Sequence, residues 1–276
     1  MYQNRTSFLG NLPPVIKNLL IINIIVFIAD YFLPRVGIDL TRMLALHNIA
    51  SPYFKPIQFV THMFMHGSIT HIFFNMFALV MFGKVLEQVW GQKRFLIFYF
   101  VTGLGAAALH SFVNYLNLTS LHNEIIAFTN TPSPEVLLSL VREHLSHPAA
   151  WVNDFLSSYS MNPNNQAYIN KGVQLANDIY MLHLNIPTVG ASGAVFGVLL
   201  AFGMLFPNTK LMLLFPPIPI KAKYFVIIYG AIELFAAVMP QQGDNVAHFA
   251  HLGGMIFGYL LIKYWNSKGI GKFKQF

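Results

Sequence analysis

The stretch PTVGASGAVFGVLLAFG, from Pro187 to Gly203, places one serine between two glycines at the start of a run that contains no charged residue. An apolar run of this length covers most of a membrane-spanning helix. Polar side chains in membrane helices turn towards protein or a water-filled cavity, because lipid does not solvate them. We therefore expect Ser192 to have a polar partner at the same depth of the membrane.

The composition of the chain is typical of a membrane protein. Of its 276 residues, 55% are hydrophobic and only 10% are charged, against about 25% charged residues in an average soluble domain. The chain has no cysteine, which excludes disulfides, thiolate catalysis and cysteine-based metal sites. The net charge is +7, but no basic cluster alternates with stacking aromatic residues. We therefore assign the charge to membrane orientation and expect no nucleic-acid partner.

The apolar runs predict six membrane spans. With the N-terminus inside, twelve of the 17 Lys and Arg residues lie in inner segments, as the positive-inside rule requires. We therefore expect an all-α bundle with both termini cytoplasmic, in a bacterial inner membrane. Residues 1–17 and 266–276 are the predicted tails of a domain that covers residues 18–265. The predicted spans are residues 18–33, 70–90, 95–115, 189–206, 223–239 and 246–265.

The connection between spans three and four, residues 117–188, is unusually long. Its segments PEVLLSLVREHLSH and QAYINKGVQLANDIYML have the apolar spacing of amphipathic helices. The turn signal SMNPNN separates them. We expect this connection to be a helical insertion on the outer surface. By contrast, the proline-rich segment from Phe215 to Lys223 predicts a loop at the inner interface.

Three groups of polar residues lie at one predicted depth. Spans two, four and six are separated by even numbers of crossings, so their first residues all lie on the outer side. His71 and Asn75 are four residues apart, and His248 and His251 are three apart, so each pair lies on nearly one helix face. The groups are Ser192 in span four, His248 and His251 in span six, and His66, His71 and Asn75 in span two.

Glycines predict that spans four and six approach each other closely. Span four carries Gly190, Gly193 and Gly197, and span six carries the small-xxx-small pair Gly254 and Gly258. These glycines favour close helix packing whether they serve a catalytic site or only the packing of the bundle. Next to a serine and a histidine, they also allow the contact that catalysis requires.

A serine next to a histidine, shielded from water, is the nucleophile and base of acyl transfer. His251 takes the Ser192 proton during attack on a carbonyl and returns it to the leaving amine. Suitable donors to the resulting oxyanion are His71, Asn75 and the backbone N–H of Ser192. We find no acid in the same layer and expect a dyad, with Asp244 of the fifth loop as the weaker candidate for a third member.

These residues resemble those of the rhomboid family of intramembrane serine proteases. The resemblance rests on HGSITHIFFN at 66–75, GASGAVFG at 190–197 and AHFAHLGGMIFG at 247–258, and it covers about 190 residues outside the insertion and the tails. It implies a six-helix rhomboid bundle that cleaves transmembrane segments of other membrane proteins near the outer face without a cofactor.

Carried over residue by residue, the resemblance makes Ser192 the nucleophile, His251 the base, and His71 and Asn75 the oxyanion donors. Gly190, Gly193, Phe196 and His248 become neighbours of the site. Phe196 stands where some relatives have tyrosine, and can pack on the His251 ring. Glu87 resembles the family's structural acid at the end of span two. Where many relatives have a Trp-Arg pair, this chain has Ile57 and Gln58.

The polar residues also allow interpretations other than a serine protease. His62, His66 and His71 have metal-ligand spacing, but the HExxH motif of a zinc protease is absent. Only Asp30 and Asp244 come close to an aspartyl protease pair, in the wrong arrangement. Glu233 is the one acid well inside a span; without a basic partner at its depth we expect it to be hydrogen-bonded in the bundle, or used by a transporter. The remaining alternative is a rhomboid-like chaperone or client-binding protein without catalysis.

Overall fold

The chain is mostly helical in the computed structural model, which describes residues 8–212, 217–239 and 246–269. Short 3₁₀ segments lie at Phe8–Asn11, Leu33–Val36 and His62–Phe64, and a π-helical turn, Leu79–Gly83, joins two of the helices. The helices are α1 (Pro14–Phe32), α2 (Leu40–Leu44), α3 (Gln58–Thr61), α4 (Ile69–Ala78), α5 (Lys84–Trp90), α6 (Gln92–Asn130), α7 (Pro134–His144), α8 (Ala150–Met161), α9 (Gln166–Leu184), α10 (Ser192–Leu205), α11 (Ala222–Val238) and α12 (His248–Ser267).

Several of these helices have the length and composition of membrane spans. Three stretches, Pro14–Val36, Ile69–Trp90 and Gln92–Asn130, are long and apolar enough to cross a bilayer, and α10 is a shorter apolar helix. Helices α11 and α12 occupy the positions predicted for spans five and six. The prediction of a helical membrane protein is therefore confirmed, whereas the count of six spans stays a prediction.

The central helices meet backbone against backbone. A Cβ atom added to Gly254 of α12 would lie 1.8 Å from the carbonyl oxygen of Gly193 in α10. A Cβ on Gly193 would lie 2.4 Å from the Cβ of Ala106 in α6. Further along the same contact, a Cβ on Gly258 would lie 3.4 Å from the Cα of Gly197. Only glycine fits at the tightest of these contacts, so α6, α10 and α12 form one close-packed unit.

A buried glutamate caps the first helix from a distance. Helix α1 begins after Pro13, whose side chain makes no capping hydrogen bond. The carboxylate of Glu87, in α5, accepts the backbone N–H of Val15 at 3.0 Å and that of Ile16 at 2.9 Å. A negative charge at a helix N-terminus also complements the helix dipole. Glu87 therefore fastens α1 to the second span, as the resemblance implies for a structural acid.

The first loop is tied together by Gln58, which is fully buried. Its side-chain oxygen accepts the backbone N–H groups of His47 and Lys55, and its amide donates to the carbonyls of Met43 and Tyr53. Ile57, by contrast, is exposed. This chain lacks the Trp-Arg pair of many relatives, and the hydrogen bonds of Gln58 hold its first loop together within the protein.

The third connection differs from its prediction at its start. Helix α6 continues without a break to Asn130, so residues 117–130 extend the third span instead of forming a loop. Helices α7 and α9 lie at the two predicted positions, but α8 was not predicted, and it ends at Met161, within the predicted turn segment SMNPNN. The four helices share their own apolar core, which includes Leu121, Phe128, Leu137, Phe155, Tyr159 and Ile179.

The segment predicted as an inner loop is partly a strand. Pro219–Lys221 pairs antiparallel with Lys210–Met212, and Lys210 stands opposite Lys221. Proline is tolerated there because it lies on a strand without a second neighbour in the described residues. Residues 1–7, 213–216, 240–245 and 270–276 lie outside the described residues. The ends of both predicted tails and Asp244 are among them.

Replacing Glu87 with glutamine is expected to lower the stability of the fold. The amide offers one acceptor where two backbone N–H groups are buried, and it removes the charge at the helix N-terminus. We expect a loss of about 1–3 kcal/mol in the free energy of unfolding, measured by denaturation in detergent. Glu143→Gln, at an exposed position of α7, is the control. Equal stability of both variants would contradict the capping role.

Candidate active site

The loop before Ser192 is held on both sides. Thr188 and Leu46 exchange two backbone hydrogen bonds of 2.9 and 2.8 Å, and the N–H of Gly190 donates to the carbonyl of His62 at 2.9 Å. Gly190 has a φ of 128°, a conformation that favours glycine. Ser192 is then the first residue of α10. Its hydroxyl is thus placed by a rigid turn at the start of a helix.

Ser192 and His251 are in direct contact. His251 Nε2 lies 2.8 Å from Ser192 Oγ, a hydrogen-bond distance, although 59 residues separate the two in the chain. His251 is 8% exposed and lies one residue after Ala250, whose carbonyl faces Gly193. The glycine contact between α10 and α12 therefore brings the base within reach of the hydroxyl. The two residues that the sequence analysis paired as nucleophile and base lie together.

Aromatic packing fixes the plane of the His251 ring. The rings of Phe196 and His251 stack with centroids 4.1 Å apart and planes 8° apart. The Phe196 ring also contacts the ring of Tyr229 in α11, with ring centroids 5.6 Å apart. Phe196 follows Ser192 by about one helical turn, so one helix supplies both the hydroxyl and the surface on which the imidazole rests.

An acid completes this group, contrary to the sequence analysis. Glu233 Oε2 lies 2.8 Å from His251 Nδ1 and 2.6 Å from His248 Nδ1, and Glu233 is only 6% exposed. The expectation of no acid in the layer of Ser192, and of no basic partner for Glu233, was wrong. Glu233 lies in the C-terminal half of α11 and faces the first turn of α12. Its position in the span was the signal that could have identified it.

Two of the predicted oxyanion donors, His71 and Asn75, lie in α4. Ser68 caps this helix by accepting the backbone N–H of His71. A Cβ on Gly190 would lie 2.8 Å from the His71 ring and 3.6 Å from Ser192 Oγ, so the ring and the hydroxyl flank the same glycine. Asn75 is buried and its Nδ2 donates to the carbonyl of His71 at 3.0 Å, which leaves a second amide hydrogen.

A compact cavity lies beside Ser192. It has a volume of about 10 Å³ and is lined among others by His62, His110, Thr188 and Ala247, which is room for about one water molecule. A larger cavity of about 260 Å³ shares His110, Thr188 and Ala247 with it. His110 Nε2 and Thr188 Oγ1 lie 2.9 Å apart in the wall between them. The smaller cavity thus has room for a water molecule beside Ser192.

The clusters that resemble metal sites do not include His62, His66 or His71. Among the described residues, the two groups of three that bring possible ligand atoms within 4.8 Å are Glu233 with His248 and His251, and Glu124 with Glu143 and His144. His62, His66 and His71 form no such group.

Burial lowers the pKa of His62 to about 4, and burial together with the nearby His71 lowers the pKa of His66 to about 4.

Comparison with known proteins identifies the family. The model of the family described as "Rhomboid domain" matches residues 53–121 and 151–267, more than half of the chain. The chain belongs to the rhomboid family. The match omits residues 122–150 and takes up the rhomboid pattern again at the start of α8, so only part of the third connection lies outside the domain. Of the site residues, Ser192, Glu233 and His251 all fall within the matched ranges.

Curated rhomboid relatives resemble this rhomboid chain over shorter ranges. Mitochondrial rhomboid protein 1 of Saccharomyces cerevisiae is 37% identical over 32% of the chain and 25% of its own length. Chloroplastic rhomboid-like protein 11 of Arabidopsis thaliana is 34% identical over 32% and 29%. An uncharacterized mitochondrial rhomboid protein of Schizosaccharomyces pombe is 26% identical over 76% and 52%.

The rhomboid chain thus spans between a quarter and about half of the length of the curated relatives that it matches. All three relatives are named for mitochondria or chloroplasts. They agree with an integral membrane protein. They give no support to the expected bacterial inner membrane.

Adding one methyl group at Gly254 is expected to disturb the site. In Gly254→Ala the new Cβ meets the carbonyl oxygen of Gly193, part of a helix backbone that cannot turn aside. We expect a loss of about 1–3 kcal/mol in stability, measured by thermal unfolding in detergent. Gly230→Ala is the matched control, because there the Cβ meets only the flexible end of Met255 at 3.1 Å. A Gly254→Ala protein as stable as this control would argue against the close approach.

The two buried first-loop histidines predict that the fold weakens in acid. The pKa of each is about 4 in the folded protein against an ordinary 6.5, so between these values the unfolded chain binds more protons. Stability should therefore fall as pH decreases from about 6.5 to about 4, by up to about 1.4 kcal/mol per pH unit for each histidine.

Thermal unfolding across this pH range measures the slope. The double variant His62→Gln/His66→Gln should flatten it, and His147→Gln, at an exposed site, should not. An unchanged slope in the double variant would rule out these two histidines as its source.

Proposed function

We propose that this rhomboid is an intramembrane serine endopeptidase that cleaves transmembrane segments of other membrane proteins. The observation that carries the proposal is the 2.8 Å contact between Ser192 Oγ and His251 Nε2 at the meeting point of α10 and α12. Membership of the rhomboid family supports the same reaction class. The partners are membrane-protein substrates and the surrounding lipid, and the residues themselves supply the chemistry.

The proposed reaction has two halves. In the first, Ser192 Oγ bonds to the substrate carbonyl carbon while its proton passes to His251 Nε2 and the carbonyl electrons move to the oxygen. The tetrahedral intermediate collapses, the C–N bond breaks, and the imidazolium gives its proton to the leaving amine. In the second half, water repeats the attack on the acyl ester and restores Ser192. The small cavity beside Ser192 is where we place that water.

Three donors are proposed for the oxyanion. The backbone N–H of Ser192 is one of the first four of a helix and has no acceptor within that helix. The His71 ring flanks Gly190 beside the hydroxyl, and Asn75 retains one amide hydrogen after its bond to His71. Donors that face the developing charge stabilise the transition state more than the substrate. Gly190, lacking a side chain, leaves the substrate backbone room to enter.

We propose six spans with both described ends of the domain on the inner side. Under this topology α10 and α12 begin at the outer side, as does the second span, so the site lies near the outer face. Helices α7, α8 and α9 then form an outer insertion with its own core. We assign this insertion to substrate access, because the C-terminal part of α9 and the residue Ile186 border the cavity of about 260 Å³.

A non-catalytic membrane role is the second candidate, known for relatives of this fold that have lost the dyad. The retained pair Ser192 and His251, at hydrogen-bond distance, favours the protease. A chaperone would require neither a base beside the hydroxyl nor an acid beside the base.

Substitution of the pair tests the proposal. Purified protein in detergent should cleave a model transmembrane substrate, and Ser192→Ala and His251→Ala should both abolish cleavage, because a serine without its base is a weak nucleophile. Asn75→Ala should retain more activity and lose about 10²- to 10³-fold in rate as one oxyanion donor. Rates are measured by gel or fluorescence assay of the product.

Ser267→Ala provides the control, since this hydroxyl lies at the other end of α12 and bonds only its own helix. It should leave the rate unchanged. Undiminished cleavage by the Ser192→Ala protein would refute the proposed function, and an unchanged rate in Asn75→Ala would remove that residue from the oxyanion site.

A further inference from the structure

We propose that Glu233 is a positioning residue that acts through His251, so that this rhomboid works with a serine, a histidine and a glutamate from three different helices. The inference rests on the proposed protease function and adds a third member to the expected dyad. It is carried by one juxtaposition: a single carboxylate oxygen, Glu233 Oε2, lies 2.8 Å from His251 Nδ1 while the other ring nitrogen lies 2.8 Å from Ser192 Oγ.

The first consequence concerns the tautomer of His251. A neutral imidazole carries one proton, and its nitrogens are then one donor and one acceptor. An ionised carboxylate only accepts hydrogen bonds, so it requires the proton on Nδ1. The lone pair of Nε2 then faces the hydroxyl of Ser192 and can accept its proton. Without the carboxylate, His251 can carry its proton on Nε2 instead. In that tautomer Nε2 cannot accept the proton of Ser192.

The second consequence concerns charge. When the Ser192 proton reaches Nε2, His251 becomes a cation in a site that is almost closed to water. A carboxylate in contact with Nδ1 offsets this charge in surroundings where electrostatic interactions are weakly screened. Glu233 remains ionised throughout and transfers no proton. The Ser192 proton still returns to the leaving amine, so the reaction balances as before.

The third consequence concerns orientation, because the carboxylate itself is held. His248 Nδ1 contacts the same oxygen at 2.6 Å, and a carboxylate oxygen has lone pairs for both imidazoles. Phe196 confines the His251 ring from its face, whereas Glu233 confines it at its edge. Together they leave the ring one position, with Nε2 directed at Ser192. His248 thus supports the acid and is a neighbour of the pair.

The distances favour hydrogen bonding over a metal ion at these three residues. Ligands about 2.0–2.2 Å from a tetrahedral zinc ion lie about 3.3–3.5 Å from each other. The separations of 2.6 and 2.8 Å are shorter and match hydrogen bonds. A carboxylate between two imidazoles therefore accounts for the cluster.

Kinetics of Glu233→Gln in the full chain test the proposal. The amide has nearly the same shape, but its NH₂ group can donate to His251 and admit the inactive tautomer. We expect kcat to fall about 10²- to 10⁴-fold with KM unchanged, and Glu233→Asp to recover part of the loss. The rate of covalent labelling of Ser192 by a fluorophosphonate should fall in parallel, which reports on the nucleophile independently of any transmembrane substrate.

Glu87→Gln is the matched control, because Glu87 is also buried but binds the backbone N–H groups of Val15 and Ile16 at the start of α1. It should lower stability while the folded protein keeps its kcat. A Glu233→Gln protein that labels and cleaves at the wild-type rate would overturn the positioning role, even though wild-type cleavage would leave the protease function intact. Loss of wild-type activity with a chelator, restored by zinc, would also overturn it, by making the three residues a metal site.

Discussion

The close approach of α10 and α12 is the contact on which the rest of the structure depends. At Gly254 not even a methyl group fits against the carbonyl of Gly193, so the two backbones touch directly. This contact brings together residues that are far apart in the chain, so that the imidazole of His251 lies at hydrogen-bond distance from the hydroxyl of Ser192. In a membrane, where burial of apolar surface does not drive helices together, such packing has to come from small residues.

A second constraint is the need to satisfy polar groups away from water. Glu87 and Glu233 are both buried carboxylates, and each accepts two N–H groups. The partners differ: Glu87 binds backbone N–H groups at the start of α1, whereas Glu233 binds two imidazoles, one of which contacts Ser192. Burial alone therefore does not distinguish a structural from a functional acid. The identity and position of the bonded N–H groups do.

Much of this arrangement could be predicted from the sequence. Counting crossings brought Ser192 and His251 to one depth, and the glycine spacing explained their contact. Glu233 was misjudged because only the first residues of spans two, four and six were compared in depth, while Glu233 lies in the second half of the fifth predicted span and binds the histidines of the sixth. Helix α8 and the extension of α6 were missed because their apolar residues pack within the core of the insertion, so neither has the pattern of a separate membrane span. The strand Pro219–Lys221 was missed because proline, which disfavours a helix interior, was taken to indicate a loop.

If Ser192 and His251 act as proposed, folding alone activates Ser192 towards electrophiles. The most direct measurement is labelling of the purified wild-type protein with a fluorophosphonate, followed by peptide mass spectrometry. Among all serines, we expect rapid modification of Ser192 in the native protein and none after the protein has been unfolded, since only the fold brings His251 to Ser192. Native protein that remains unlabelled at Ser192, or that reacts there no faster than unfolded chain, would contradict it.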